Sequence, residues 1–201
     1  MRIWKQSKLP RSRTETKEDL IPCFFALNRY CSRRPTDPSG LHLFSLICER
    51  LGHFDLAFDL VTRTISILEA LYEESENEAV ERHFIIANTT LGRLLLSRAE
   101  YARSLESFQT ALGLLAGDQE ESEMACAKET KIIRIQAYLG LALGQFMLRN
   151  YQSSLASSQE ALSLAGDDLT MKGQIVVLFA QTLWALDTDE TKETAKTQLL
   201  E

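Results

Sequence analysis

The residues able to do chemistry are few in this sequence, and they stand apart from one another. Three histidines, His42, His53 and His83, have no cysteine or carboxylate at the spacing a metal site needs, and they read as surface or groove residues. Four cysteines, Cys23, Cys31, Cys48 and Cys126, form no C-x-x-C pair and read as reduced thiols of a cytosolic or nuclear protein. The runs "EESENE" and "DQEESE" hold enough carboxylate to attract a cation. They lack the ordered ligand positions of a calcium loop, and solvated helix ends explain them. There is no glycine-rich phosphate loop and no G-x-S-x-G elbow. The expectation is therefore a protein without catalytic residues, bound metal or cofactor, whose function lies in its surface.

Charge and composition narrow the surface that is available. The 201 residues are 45% hydrophobic and carry a net charge of −6. Residues 1–34 hold a balance of +6, which leaves −12 for the rest. An acidic body is a poor match for bulk nucleic acid, which needs a basic face. The basic start "MRIWKQSKLPRSRTETK" has no helical apolar stripe, so residues 1–19 read as a solvated tail, the one segment with charge suited to RNA or an acidic neighbour. No apolar run approaches the ~18 residues of a membrane span, and the N-terminus has no apolar signal core.

The elements that must carry this surface are helices. Apolar residues recur at three- and four-residue intervals over 20–33, 39–51, 55–73, 78–97, 101–115, 121–148, 152–164 and 170–186, with Pro22 near the start of the first run. The junctions are short, which makes neighbouring helices antiparallel.

These helices repeat. Phe54, Tyr101 and Tyr151 define one column. Three residues on stand Ala57, Ser104 and Ser154; seven on, Val61, Phe108 and Ser158; ten on, Thr64, Ala111 and Ala161. Nine residues before the aromatic stand Ser45, Gly92 and Ala142, each after a large apolar residue (Phe44, Leu91, Leu141). That is the register of the tetratricopeptide repeat (TPR), a pair of antiparallel helices, A and B. Helix axes that approach to ~8–10 Å need small side chains where they cross. The register places Gly92 of helix A against Ser104 of helix B, and Ala111 against helix A of the next unit. The expected fold is an all-α, TPR-like superhelix of stacked hairpins. It has a half-repeat at 20–35, units at 38–71, 85–118 and 135–168, and a partial unit at 169–201 whose polar "ETKETAKTQLLE" caps the array. The aromatic column steps by 47 and then 50 residues where the repeat is ordinarily 34. The extra residues, "LYEESENEAVERHF" and "GDQEESEMACAKETK", read as helix extensions.

In such an array the A helices line a concave wall. The inward positions are His42, Leu46, Glu49 and Arg50 in the first unit, Ile86, Thr89, Arg93 and Leu96 in the second, and Gln136, Leu139, Leu143 and Phe146 in the third. His42, Glu49, Arg50, Thr89, Arg93, Gln136 and Phe146 are thus the candidate binding residues, on a mostly apolar wall suited to a hydrophobic helix or extended peptide. The Lys/Asn/Arg clamp that holds a C-terminal carboxylate in chaperone-binding repeats is absent, since the wall offers only Arg50 and Arg93.

The stretch "ALNRYCSRRPTDPSGL…", the insertion before "FIIANTTLGRLLL" and the hairpin "EYARSLESFQTAL" resemble an internal part of the large TPR scaffold subunit of superkiller (Ski) complexes, over roughly residues 24–165. The resemblance implies a cytoplasmic protein (the nucleus being the other compartment its cysteines allow). It implies protein partners, a DExH-type RNA helicase and a WD40 subunit, in an assembly that feeds RNA to the exosome. Such scaffolds are many times longer, so the expectation is a stretch from within a longer array or a short relative of it, and no site residue is carried over. The other reading is a stand-alone, peptide-binding TPR adaptor of the kinesin-light-chain type, whose repeats are also longer than 34 residues.

Overall fold

Three turns of the same construction divide the chain into hairpins. At each, a helix ends on one residue in the left-handed conformation: Gly52 (φ 89°), Ala99 (φ 60°) and Arg149 (φ 62°). The N–H of that residue bonds back three carbonyls, to Glu49, Leu96 and Phe146, and the next N–H bonds back five, to Cys48, Leu95 and Gln145. This double closure satisfies carbonyls that the helix end leaves open, and it reverses the chain in two residues. The aromatic column residue then starts the following helix.

The computed structural model describes residues 17–74, 77–117, 124–166, 168–186 and 189–200. Among these residues there are nine helices and no strand: α1 (Lys17–Arg33), α2 (Pro38–Leu51), α3 (Phe54–Glu74), α4 (Glu78–Ser97), α5 (Tyr101–Gly117), α6 (Met124–Met147), α7 (Tyr151–Ala165), α8 (Leu169–Ala185) and α9 (Asp189–Leu200). Each packs on the next, and α4 and α6 also touch α6 and α8 respectively. Helices α2, α4, α6 and α8 are therefore the A helices of four hairpins, with α3, α5, α7 and α9 as their B helices. The acidic insertion at 71–84 is helical on both sides of residues 75–76, as the sequence implies, because α3 and α4 run on into it. Most of the basic tail and residues 118–123 of the second insertion lie outside the described residues.

Burial follows the columns. In α5 and α7 the positions 3, 6, 7, 10 and 14 residues after the aromatic are buried in both helices, and α3 repeats all but the sixth. The same frame extends to α1 when it starts from Lys17: Leu20 and Cys31 are buried, with Phe24 and Leu27 packed half-buried between them. So α1 is a B helix that begins three residues earlier than the half-repeat expected at 20–35. Pro22 consequently sits inside the helix rather than at its first turn, and gives up one ladder hydrogen bond there. Asp37 joins α1 to α2: its Oδ1 accepts from the Ser39 N–H at 3.2 Å, and its Oδ2 accepts from the Tyr30 hydroxyl at 2.7 Å. The Tyr30 hydroxyl, more than any other neighbour, holds that carboxyl below the usual carboxylate range.

The small residues make room for a partner that the register did not single out. Phe108, 1% exposed, closes on glycines of two A helices. A Cβ placed on Gly92 would stand 2.8 Å from its ring, and one on Gly140 nearer still. Gly92 therefore faces Phe108 first. Ser104 reaches the next unit, where a Cβ on Gly144 would come within 3.2 Å of its hydroxyl. Ser104 and Phe108 are one turn apart on α5, so they share a face, and the larger side chain takes the closer helix crossing. In α7 the Phe108 column holds Ser158, whose buried hydroxyl has no hydrogen-bond partner, while Ser154 Oγ donates to the Ala142 carbonyl at 2.9 Å.

The turns yield a direct test. An L-residue held in the left-handed region costs ~1 kcal/mol that glycine does not incur. Ala99→Gly should raise the melting temperature by about 2–4 °C in a chain of this size, read by circular dichroism. A fall would mean that the turn at 97–101 does not have this geometry.

Candidate functional site

Helix α2 lies beside α4. Glu49 and Arg50 close the last turn of α2, and Arg93 projects from near the C-terminal end of α4. Arg93 donates Nε to Glu49 Oε1 at 2.8 Å and Nη2 to Oε2 at 2.7 Å, a forked pair that joins two units. Such bidentate pairs fix direction as well as distance. Beneath it opens a cleft of about 700 Å³ lined by Leu43, Leu46, Ile47, Glu49, Arg50, Phe54 and Arg93. Leu43, 51% exposed, and Phe54 form its accessible apolar surface.

The seven residues proposed from the sequence part ways here. Glu49, Arg50 and Arg93 meet in the cleft. Gln136, further along on α6, is exposed, and Phe146 is half-buried with its ring 5.6 Å from that of Tyr151. Thr89 is buried and returns its hydroxyl to the Ile85 carbonyl, and His42 is 6% exposed. The sequence reading did not include Leu43, Ile47 or Phe54. Leu43 and Ile47 lie one and five residues after His42 on α2, so the open face is turned about one residue from the expected register. Phe54 reads as core from its column, yet as the first residue of α3 it stands at the lip.

Two of the three histidines meet. The rings of His42 and His83 stack with centroids 5.2 Å apart, and His42 Nδ1 lies 3.1 Å from His83 Nε2. On its other side His42 Nε2 is 3.1 Å from Thr90 Oγ1, which spends its own proton on the Ile86 carbonyl. Thr90 must therefore accept, so His42 carries its proton on Nε2, and its Nδ1 accepts from His83. With both rings neutral, this arrangement of protons satisfies the whole chain. Burial, then the neighbouring His83 and Arg93, pushes His42 down to about 4, and burial also lowers His83. Among the described residues no group of three His, Cys, Asp or Glu side chains is placed to hold a metal ion, and no helix is long and apolar enough to cross a membrane.

Comparison with known proteins meets this geometry. Superkiller protein 3 of Schizosaccharomyces pombe is 30% identical over 188 residues, 92% of this chain and 13% of that protein. This chain is similar to a segment of Superkiller protein 3. The Saccharomyces cerevisiae Superkiller protein 3 is 29% identical over 187 residues, 93% of the chain and 12% of that protein. The chain thus spans about an eighth of the length of these relatives. Among solved structures, the MamA RS-1 ArsTM double mutant superposes with a TM-score of 0.60 at 14% identity, covering 92% of this chain and 85% of that one. MamA 41-end from Desulfovibrio magneticus RS-1 gives 0.57 at 13% identity, over 90% and 82%. These similarities agree with the stacked-hairpin, TPR-like fold. No family model matches the chain.

The histidine pair predicts a pH dependence. A histidine whose folded value lies below its unfolded value of ~6.5 binds its proton more readily when unfolded, so stability falls with pH below about 6.5 and continues to fall to the folded value. For His42 alone the loss between pH 7 and pH 5 should be roughly 2 kcal/mol. Thermal melts of the parent chain should drop across that interval, and those of His42→Gln should drop less. Parallel pH profiles for the two would contradict the neutral, buried pair.

Proposed function

We propose that this chain is a non-catalytic docking segment, acting in a cytoplasmic RNA-decay assembly of the superkiller type that assists the exosome. One observation carries the reading: similarity to Superkiller protein 3 covers 92% of the chain. The geometry fits the role. Stacked hairpins hold a wide wall at fixed curvature, and the cleft between α2 and α4 offers an apolar floor rimmed by Glu49, Arg50 and Arg93. A buried apolar anchor beside a few charged groups is how a protein surface selects a helix or an extended segment. In this reading the partners are proteins, a DExH-type RNA helicase and a WD40 subunit. The concave face is built from the cleft together with Gln136 and Phe146 further along.

The test is capture of partners from the native lysate on the tagged chain, followed by mass spectrometry. Recovery of the helicase and the WD40 subunit is expected. Leu43→Asp with Ile47→Asp should reduce it at least about tenfold, the loss of one buried anchor site, while far-ultraviolet circular dichroism stays unchanged. Recovery of motor or cortical-polarity proteins without a helicase would favour a stand-alone adaptor and overturn the assignment.

A further inference from the structure

The linker from α1 to α2 reads "RRPTDP" and holds the one adjacent pair of arginines in the sequence, Arg33 and Arg34. Thr36 follows the pair at three and two residues' distance. It is exposed, and its hydroxyl makes no hydrogen bond among the described residues. Pro35 and Pro38 each push the residue before them towards extended backbone, and Asp37 has φ −83° and ψ 107°. The turn over residues 34–37 is closed by one long backbone bond, from the Asp37 N–H to the Arg34 carbonyl at 3.4 Å. Straightening this segment gives up little.

The surroundings of Thr36 are basic. Thr36 and Arg63 of α3 line one cleft of about 620 Å³, together with Phe58, Asp59, Thr62 and Ser66. Further along the array the arginines are matched with carboxylates. Arg82 pairs with Glu78, Arg93 with Glu49, Arg98 with Asp55 and Glu100, and Arg103 with Glu100. Among the described residues Arg33, Arg34 and Arg63 form no ion pair, although Asp59 stands one turn before Arg63. Arg34 lies over the Tyr30 ring, 5.7 Å from its centroid. The nearby Asp37 carboxylate accepts from the Tyr30 hydroxyl and the Ser39 N–H. Two guanidinium groups beside Thr36 in the chain, and a third in its cleft, are therefore left without a paired carboxylate.

We propose that Thr36 is a phosphorylation site for an arginine-directed serine/threonine protein kinase, and that Arg63 receives the phosphate. Kinases select substrates by charge pattern. A substrate groove lined with carboxylates binds Arg33 and Arg34 as forked pairs, and the straightened linker then presents Thr36 at the point of transfer. The Thr36 Oγ1 attacks the γ-phosphorus of ATP, and the bond to the β–γ bridging oxygen breaks. ADP leaves with that electron pair, and the hydroxyl proton passes to the kinase's catalytic aspartate. The product carries a charge of about −1.5 to −2 and three acceptor oxygens. Asp37 and Asp59 repel it. Charge-assisted bonds to Arg63 and Arg34, and the positive end of α2, outweigh that repulsion. The phosphate thus ties the linker to α3.

The test treats the full chain with magnesium ATP and the catalytic subunit of cyclic-AMP-dependent protein kinase. Tandem mass spectrometry should find phosphate on Thr36. Arg33→Ala with Arg34→Ala should slow its uptake there at least about tenfold. The treated parent chain should melt about 2–4 °C higher than the untreated one, and Thr36→Ala, treated identically, should not shift. Arg63→Gln should still take up phosphate on Thr36 but lose the gain in melting temperature, while Arg63→Lys should keep part of it. No phosphate on Thr36, or the double variant modified at the parent rate, would overturn the site. A phosphorylated chain that melts no higher, or a gain that survives Arg63→Gln, would overturn the role given to Arg63.

Discussion

The array depends on how closely its A helices can approach the B helix between them, and at the centre that distance is set by one side chain. Phe108 of α5 is held between Gly92 of α4 and Gly140 of α6. A phenylalanine is too large for two close crossings unless both partners give up their side chains, and here both do. The ring therefore acts as a wedge of fixed size between consecutive units. It limits how closely α6 can follow α4. The neighbouring hairpin solves the same problem with smaller parts. Ser158 takes the Phe108 column, and Ser154 bonds the carbonyl of Ala142 directly.

The cleft follows from this stacking. Glu49 and Arg93 come from A helices of different units, 44 residues apart in sequence, and meet only because α2 and α4 lie side by side. The same adjacency brings His42 to His83 and Thr90. The bonds of this buried polar chain form only when the two helices are aligned, so it fixes their register more than a wholly apolar contact would. Near the outer side, Arg98 lies over the ring of Phe58, 4.6 Å from its centroid, while its guanidinium bonds Asp55 and Glu100. The two units are thus joined between α2 and α4 and again at their turn, beside the cleft of Leu43, Ile47 and Phe54.

Most of the architecture was legible because its signals are local. Helix periodicity, short junctions and the columns of Ser45/Gly92/Ala142 and Ala57/Ser104/Ser154 lie within single hairpins, and the helices appear within a few residues of where those signals put them. Pairings between helices were less legible. Periodicity says that Gly92 is small on a buried face, but not which of Ser104 or Phe108, one turn apart, occupies the space. Gly140 carries no repeat signal at all, since the same column holds Leu43 and Thr90 in the preceding units. At α2 the periodicity did not separate neighbours: His42, expected on the inner wall, is buried, and Leu43 beside it is exposed. The histidine pair had no sequence signal, because His42 and His83 are 41 residues apart and neither has a ligand-spaced neighbour.

The wedge is tested most directly by a double-mutant cycle between Phe108 and Gly140, read by denaturant unfolding. Gly140→Ala in the parent chain should cost about 1–3 kcal/mol, because its methyl group enters the space of the ring. With Phe108→Ala already present the same substitution should cost nothing, or stabilise by up to ~1 kcal/mol, as alanine does over glycine in an open helix. A coupling near 2 kcal/mol is the expected result. Effects that simply add, within about 0.5 kcal/mol, would contradict the account, for they would mean that Phe108 does not set the spacing of the helices on either side of it.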